Sequence, residues 1–231
     1  MPLDTEPRYT PNLSKKLIEI YDRLLGHFGP QNWWPSESSF EIMVEAILTQ
    51  STAWTNVEKA IRNLKSMDRL SPSAIRTTPR SELADIIRPI GYFNVKAKRL
   101  KALAWFVYDE YGDEIDAIRG EEGDALRLKL LGVDGVGEET ADAIILYVAQ
   151  QPTFVVDAYA RRLIERLGSA NINESYESLR DIFIQRLMGD TERLAEYHAL
   201  IVKHGKEVCT KTVPSCSNCV LRDMCEFGKL A

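Results

Sequence analysis

Apolar residues recur at helical spacing along almost the whole chain. Leu17, Ile20, Tyr21, Leu24 and Leu25 form one stripe within Leu13 to Phe28, and that period predicts an amphipathic helix. The same spacing predicts helices over residues 40–48, 57–64, 83–87, 97–108, 125–131, 140–148, 158–167, 176–187 and 194–208. Breaks fall at Pro30, Pro35, Ser71-Pro72, Gly91, Gly112, Gly132 and Pro152, residue types that punctuate helices. No alternating strand series appears, and only Thr153 to Val156 reads as a short extended piece. An all-α protein of about ten helices follows, with no internal repeat and no low-complexity linker.

Bulk properties narrow this picture only slightly. A chain of 231 residues, 45% hydrophobic and 27% charged, is globular and long enough for one large domain or two small ones. No apolar run has the length of a membrane span, and MPLDTEPRYTPN lacks the apolar core of a signal peptide, so a cytoplasmic protein is expected. The net charge of −5 argues weakly against a nucleic-acid partner, but the charge is segregated. Residues 109–124 carry eight acids against Arg119, whereas 88–101 carry Arg88, Lys96, Lys98, Arg99 and Lys101 with no acid. Each run on its own reads as a solvated helix face. Together they leave room for a basic surface towards DNA.

Candidate chemistry concentrates in three places. Cys209, Cys216, Cys219 and Cys225, the only cysteines, are spaced C-x6-C-x2-C-x5-C in the last 23 residues. Such crowding in an otherwise cysteine-free chain points to metal rather than disulfides, and four thiolates suit zinc or an iron–sulfur cluster equally. Lys211 would then ride on a small metal-rigidified loop and face a phosphate. The second place is LLGVDGVGEETADAI, where Gly135, Val136 and Gly137 make a turn before a helix, with N–H groups turned outward for a phosphate oxygen. The third is Asp157, after Phe154-Val155-Val156 and before a helix carrying Arg161 and Arg162. Taken alone, Asp157 reads as the cap of that helix.

These stretches, with YHALIVKHGKEVC before the cysteines, resemble the endonuclease III or helix-hairpin-helix-GPD superfamily of DNA glycosylases. The resemblance runs over about residues 28–227. It implies two helical domains with a DNA cleft between them: a six-helix barrel over 31–151, and residues 1–30 with 152–231 forming the cluster domain. Cys209, Cys216, Cys219 and Cys225 would ligate a structural [4Fe-4S] cluster. Asp157 would be the catalytic aspartate, stabilising positive charge at C1′ or helping water attack there. EAILTQSTAW places Gln50 as a probe of the gap left by a flipped nucleotide, and RPIGYFNVKAKRL places Tyr92 or its neighbours as a wedge. Both serve base flipping, which costs a few kcal/mol.

Within that superfamily, NWWP and the Trp54 position resemble the endonuclease III-related 3-methyladenine glycosylases of Helicobacter-type bacteria. There Trp34, Pro35 and Trp54 correspond to the base pocket, and Glu139 matches the subgroup's glutamate. This chain keeps a cysteine loop that some subgroup members lack. Bifunctional relatives carry their imine-forming lysine where Glu139 stands, and a carboxylate cannot form an imine. The expected activity is therefore monofunctional: hydrolytic release of a damaged base, an alkylated purine such as 3-methyladenine, from double-stranded DNA. Glu139 itself reads either as part of a negative site or as an exposed first-turn residue. A thymine or uracil mismatch glycosylase and a non-catalytic damage-binding protein are the rivals. A monomer, nucleoid-associated and off the membrane, is expected. His27, His198 and His204 are assigned no chemistry.

Overall fold

The computed structural model describes residues 11–168 and 174–231, which are helical with no strand among them. Two compact units divide the chain, one comprising Met1–Trp33 with Pro152–Ala231 and the other Trp34–Gln151.

The chain opens with α1 (Pro11–Phe28) of the first unit. The central unit follows with α2 (Ser39–Leu48), α3 (Trp54–Ser66), α4 (Pro72–Thr77), α5 (Arg80–Ile86) and α6 (Phe93–Tyr111). It closes with α7 (Gly123–Leu131) and α8 (Glu138–Ile144), the latter running into a π-helical turn over Ile145–Ala149 that Gln150 ends in a left-handed conformation. Its core is aliphatic: Val44, Ile47, Val57, Leu64, Leu83, Leu100, Leu103, Leu126 and Ile144 are all but inaccessible. Ser71-Pro72, a break by its composition, instead starts α4. The Ser71 hydroxyl accepts from the Ala74 N–H, and Pro72 occupies the first helical turn, where its missing N–H is harmless.

The first unit resumes with α9 (Ala158–Arg166), α10 (Tyr176–Arg186), α11 (Thr191–Glu207) and α12 (Glu226–Leu230). Its core is aromatic. Phe154 stacks on Phe183 with centroids 3.7 Å apart, and Tyr197 lies edge-on to both Phe183 and Tyr21. The Tyr197 hydroxyl donates to the Leu17 carbonyl at 2.8 Å, tying α1 to α11. Residues 153–156 carry no strand pairing; Phe154, Val155 and Val156 are buried, and the Val156 N–H donates to the Tyr176 hydroxyl at 3.3 Å.

Candidate nucleic-acid interface and excision site

In the central unit, the turn between α7 and α8 is braced from three directions. Arg127 on α7 donates to both oxygens of Asp142 on α8, at 3.0 and 3.2 Å, and Asp142 is fully buried. Gln50, just past α2, donates its amide to the Gly135 carbonyl and to the Thr140 hydroxyl, both at 3.0 Å. Arg99 on α6 in turn donates to Oε1 of the Gln50 side chain. Gly135 has φ +88°, and a Cβ there would meet the Arg99 side chain at 2.2 Å, so the glycine is required twice over.

This geometry corrects one expectation. The Val136 N–H does not point outward: it donates to the Val133 carbonyl at 3.0 Å, and the Val136 side chain is buried. Closing the turn and anchoring it in the core take that residue's amide and side chain. Gly137 is the outward-facing one, extended at the N-cap of α8 with nothing within 4 Å of where its Cβ would lie. Glu138 and Glu139 are exposed in the first turn of α8.

Gln50 is therefore a strut of the hairpin. At the tip of its turn stands Ser51, exposed and left-handed at φ +53°. Tyr92, before α6, is likewise left-handed at φ +47° and 77% exposed. These two turns are cross-braced, for Thr52 donates to the Ile90 carbonyl at 3.0 Å and the buried Lys96 ammonium reaches Leu48 O at 2.8 Å and the Thr52 hydroxyl. Burial, with repulsion from Arg99, pushes the Lys96 amine down to about 8. Non-glycine residues at positive φ are uncommon and cost energy; here two exposed ones are held in place by the half-buried Thr52 hydroxyl and the buried Lys96 ammonium.

The basic run does not form a uniform cationic face. Lys96 is buried, Arg99 braces Gln50, and Lys101 caps the α4 end through the carbonyls of Ile75, Arg76 and Thr78. Lys98 pairs with Asp134 at 2.7 Å, and Arg88 pairs with Asp85 while lying over the Phe93 ring.

Trp34, Trp54 and Tyr147 come together, with Trp34 edge-on to both at 6.0 and 5.3 Å. Pro35 beside them is exposed. Sequence reasoning missed Tyr147 and a fourth member, Glu45 on α2, only 4% exposed, whose Oε2 accepts from Trp34 Nε1 and the Ser36 hydroxyl. Burial raises its pKa, partly countered by those two donors. A carboxylate amid the apolar run Phe40 to Leu48 was the available signal. Trp33, although adjacent to Trp34, belongs to the first unit, with the Lys206 ammonium 5.3 Å over its ring.

In the first unit, Asp157 caps α9: Oδ1 accepts from the N–H groups of Tyr159 and Ala160 at 2.9 and 2.8 Å. Oδ2 lies 3.6 Å from His198 Nε2, and both side chains are almost buried. His198 is thus a neighbour of the candidate aspartate that helical spacing on α11 did not single out.

The four cysteines are free thiols lining one pocket with Leu163, Arg166 and His204. Arg166 donates to Cys209 Sγ at 3.1 Å, and the Gly228 N–H to Cys225 Sγ at 3.4 Å. Such donors suit thiolate ligands. His204 Nε2 stands 3.8 Å from Cys219 Sγ, and burial pushes that imidazole down to about 4, so it adds no positive charge at neutral pH. Burial also raises Cys219 and Cys225, a cost that bound metal would remove by taking the thiolate forms. Among the described residues, no three His, Cys, Asp or Glu side chains close on a point as ligands of a single ion do. The loop is otherwise held by arginines of α9: Arg162 donates to the carbonyls of Gly205 and Cys209, Arg166 to those of Thr210 and Lys211. Lys211 itself is exposed.

The model of the HhH-GPD superfamily base excision DNA repair proteins matches residues 44–187, and the chain belongs to that family. A protein of Methanocaldococcus jannaschii with a provisional name as a DNA repair glycosylase is 43% identical over 93% of this chain and 97% of its own length. Endonuclease III of Sulfolobus acidocaldarius is 29% identical, covering 81% of this chain and 82% of that protein. Among solved structures, the H. pylori 3-methyladenine DNA glycosylase bound to 1,N6-ethenoadenine aligns with a TM-score of 0.71 and 29% identity, over 85% of this chain and 96% of that one. Among the described residues, no helix is long and apolar enough to cross a membrane.

Proposed function

We propose that this chain is a monofunctional DNA glycosylase that flips an alkylated purine, such as 3-methyladenine, from double-stranded DNA and hydrolyses its N-glycosidic bond. The carrying observation is Glu139, exposed in the first turn of α8 behind the hairpin, at the position where the resemblance puts a lyase lysine. Without an amine there, water supplies the nucleophile: a C1′–O bond forms, the C1′–N bond breaks, the base leaves with the electron pair, and the water's proton passes to solvent. A cationic base leaves readily, so the protein needs chiefly to stabilise positive charge at the sugar.

Asp157 serves that end. With Oδ1 tied to two backbone N–H groups at the α9 terminus, its position is fixed, and Oδ2, on the side of His198, is the oxygen that would face the sugar. Gly135 and Gly137 provide the close backbone approach to a phosphate, while Ser51 and Tyr92 are the exposed pair suited to fill the gap left by a flipped nucleotide. The aromatic group of Trp34, Trp54 and Tyr147, with Pro35 at its edge, is suited to an electron-poor base. Glu139 adds negative potential. We read residues 31–151 as the six-helix barrel and 1–30 with 152–231 as the cluster domain. Cys209, Cys216, Cys219 and Cys225 would hold a [4Fe-4S] cluster whose work is structural, shaping the loop that presents Lys211 to DNA. A monomer acting in the nucleoid fits this reading.

The test is a panel of duplexes carrying 3-methyladenine, 7-methylguanine, G·T and G·U, assayed with wild type and Asp157→Asn. Asparagine preserves the helix cap, so folding and DNA binding should persist while base release falls by about 10²–10⁴-fold. Unchanged release would sink the mechanism. Efficient borohydride trapping of the wild type on lesion DNA would overturn the hydrolytic claim, and release confined to G·T or G·U would assign a mismatch glycosylase.

A further inference from the structure

Glu45 is the one feature of the aromatic group that ring packing does not require. Burying a carboxylate costs several kcal/mol unless charge or donors compensate it. Its two hydrogen bonds come from neutral donors and converge on Oε2. The neighbouring cation is Lys65, but its ammonium is spent on Glu37 and Glu41, at 3.0 and 2.9 Å. Glu41 also repels Glu45. A brace that merely oriented the Trp34 indole would need an acceptor there, and a neutral amide would serve. What the site has beyond a brace is a nearly buried carboxyl group bonded to Trp34, whose indole packs edge-on against two more partly exposed rings. That pairing is the chemistry of a cation receptor: rings attract a delocalised positive charge through their quadrupoles, and a carboxylate in low dielectric attracts it more strongly still.

We propose that Glu45 is a specificity-determining residue, its carboxylate selecting positively charged N-alkylated purines over neutral bases among the rings of Trp34, Trp54 and Tyr147. The proposal rests on the glycosylase reading above and adds the residue that makes the charge preference. Neutral lesions fit the same rings but gain nothing from the carboxylate and leave it without a counter-charge.

Glu45→Gln separates charge from bracing, because the amide oxygen still accepts from Trp34 and Ser36. Single-turnover release should be compared on duplexes with 3-methyladenine or 7-methylguanine and with neutral 1,N6-ethenoadenine or hypoxanthine. Equilibrium binding to a duplex holding neutral 3-deaza-3-methyladenine supplies the same comparison where neutral bases are not released. The expected result is a loss of roughly tenfold or more for the cationic bases, with neutral-base release or binding, and affinity for undamaged duplex, within about twofold of wild type. Equal losses on charged and neutral bases would make Glu45 a brace only and overturn the proposal, as would no loss on either. A wild type that releases no cationic base would instead refute the alkylpurine reading, and the proposal with it. Cationic release that is active in wild type and unaltered in the variant refutes the proposal alone.

Discussion

The hairpin before α8 and the cysteine loop after α11 are both proposed to meet the DNA backbone, yet they are built in opposite ways. The hairpin is made rigid by the chain itself: Val136 is buried, Arg127 and Asp142 pair across its two helices, and Gln50 and Arg99 fasten its crest. None of residues 209–220 is buried. Their carbonyls hang on Arg162 and Arg166 of α9 and on Arg23 of α1, Leu221 is the one buried side chain before Cys225, and a ligand held by the four thiols would add the rest. A loop with a core keeps its shape alone, whereas a loop with a single buried side chain gains far more from a ligand.

The largest expected effect follows from that dependence. Cys216→Ser should abolish the brown colour expected of the wild type and leave residues 209–225 open to protease, while the central unit keeps its protection. A colourless wild type, or a loop that stays protected without its metal, would break the comparison. On the hairpin side, Asp142→Ala removes the fully buried carboxylate that pairs with Arg127 and should cost about 3–5 kcal/mol in urea unfolding. A loss under about 1 kcal/mol would mean that the pair is as weak as a surface bridge. Gly135→Ala forces Arg99 aside at a positive φ and should cost about 1–3 kcal/mol, with weaker binding to undamaged duplex as the accompanying sign.

The smallest effect is a pH slope. The folded Lys96 amine titrates near 8 against an ordinary 10.5, so the unfolded chain binds more protons between those values. Stability contributed by this residue should therefore rise with pH across that window. The wild-type minus Lys96→Met difference in unfolding free energy should climb from pH 8 towards 10.5; a flat difference would show that the amine is not held in low dielectric.

Much of this arrangement is legible in the residues, and the illegible part has identifiable causes. Helical period locates most helices because one buried stripe suffices to define each. It missed α4 because Ser71-Pro72 marks a helix start and a chain break with the same two letters. Glycine spacing locates the hairpin, but whether the Val136 amide faces in or out depends on the carbonyl of Val133, a neighbour only once the turn has closed. Gln50 and Ser51 differ by one position in a turn, and only the left-handed backbone decides which reaches solvent. Glu45 and His198 gain their interest from partners 11 and 41 residues away, separations to which no local pattern is sensitive.

Tyr92 carries a consequence for anyone engineering this protein. Its left-handed backbone is a strain of about 1 kcal/mol that glycine would relieve, and Ser51 carries a similar one. A thermostability screen blind to activity would favour Tyr92→Gly and Ser51→Gly among its early hits. It would thereby file away the two protrusions proposed to enter the duplex, and on that reading enrichment for robustness would run against repair.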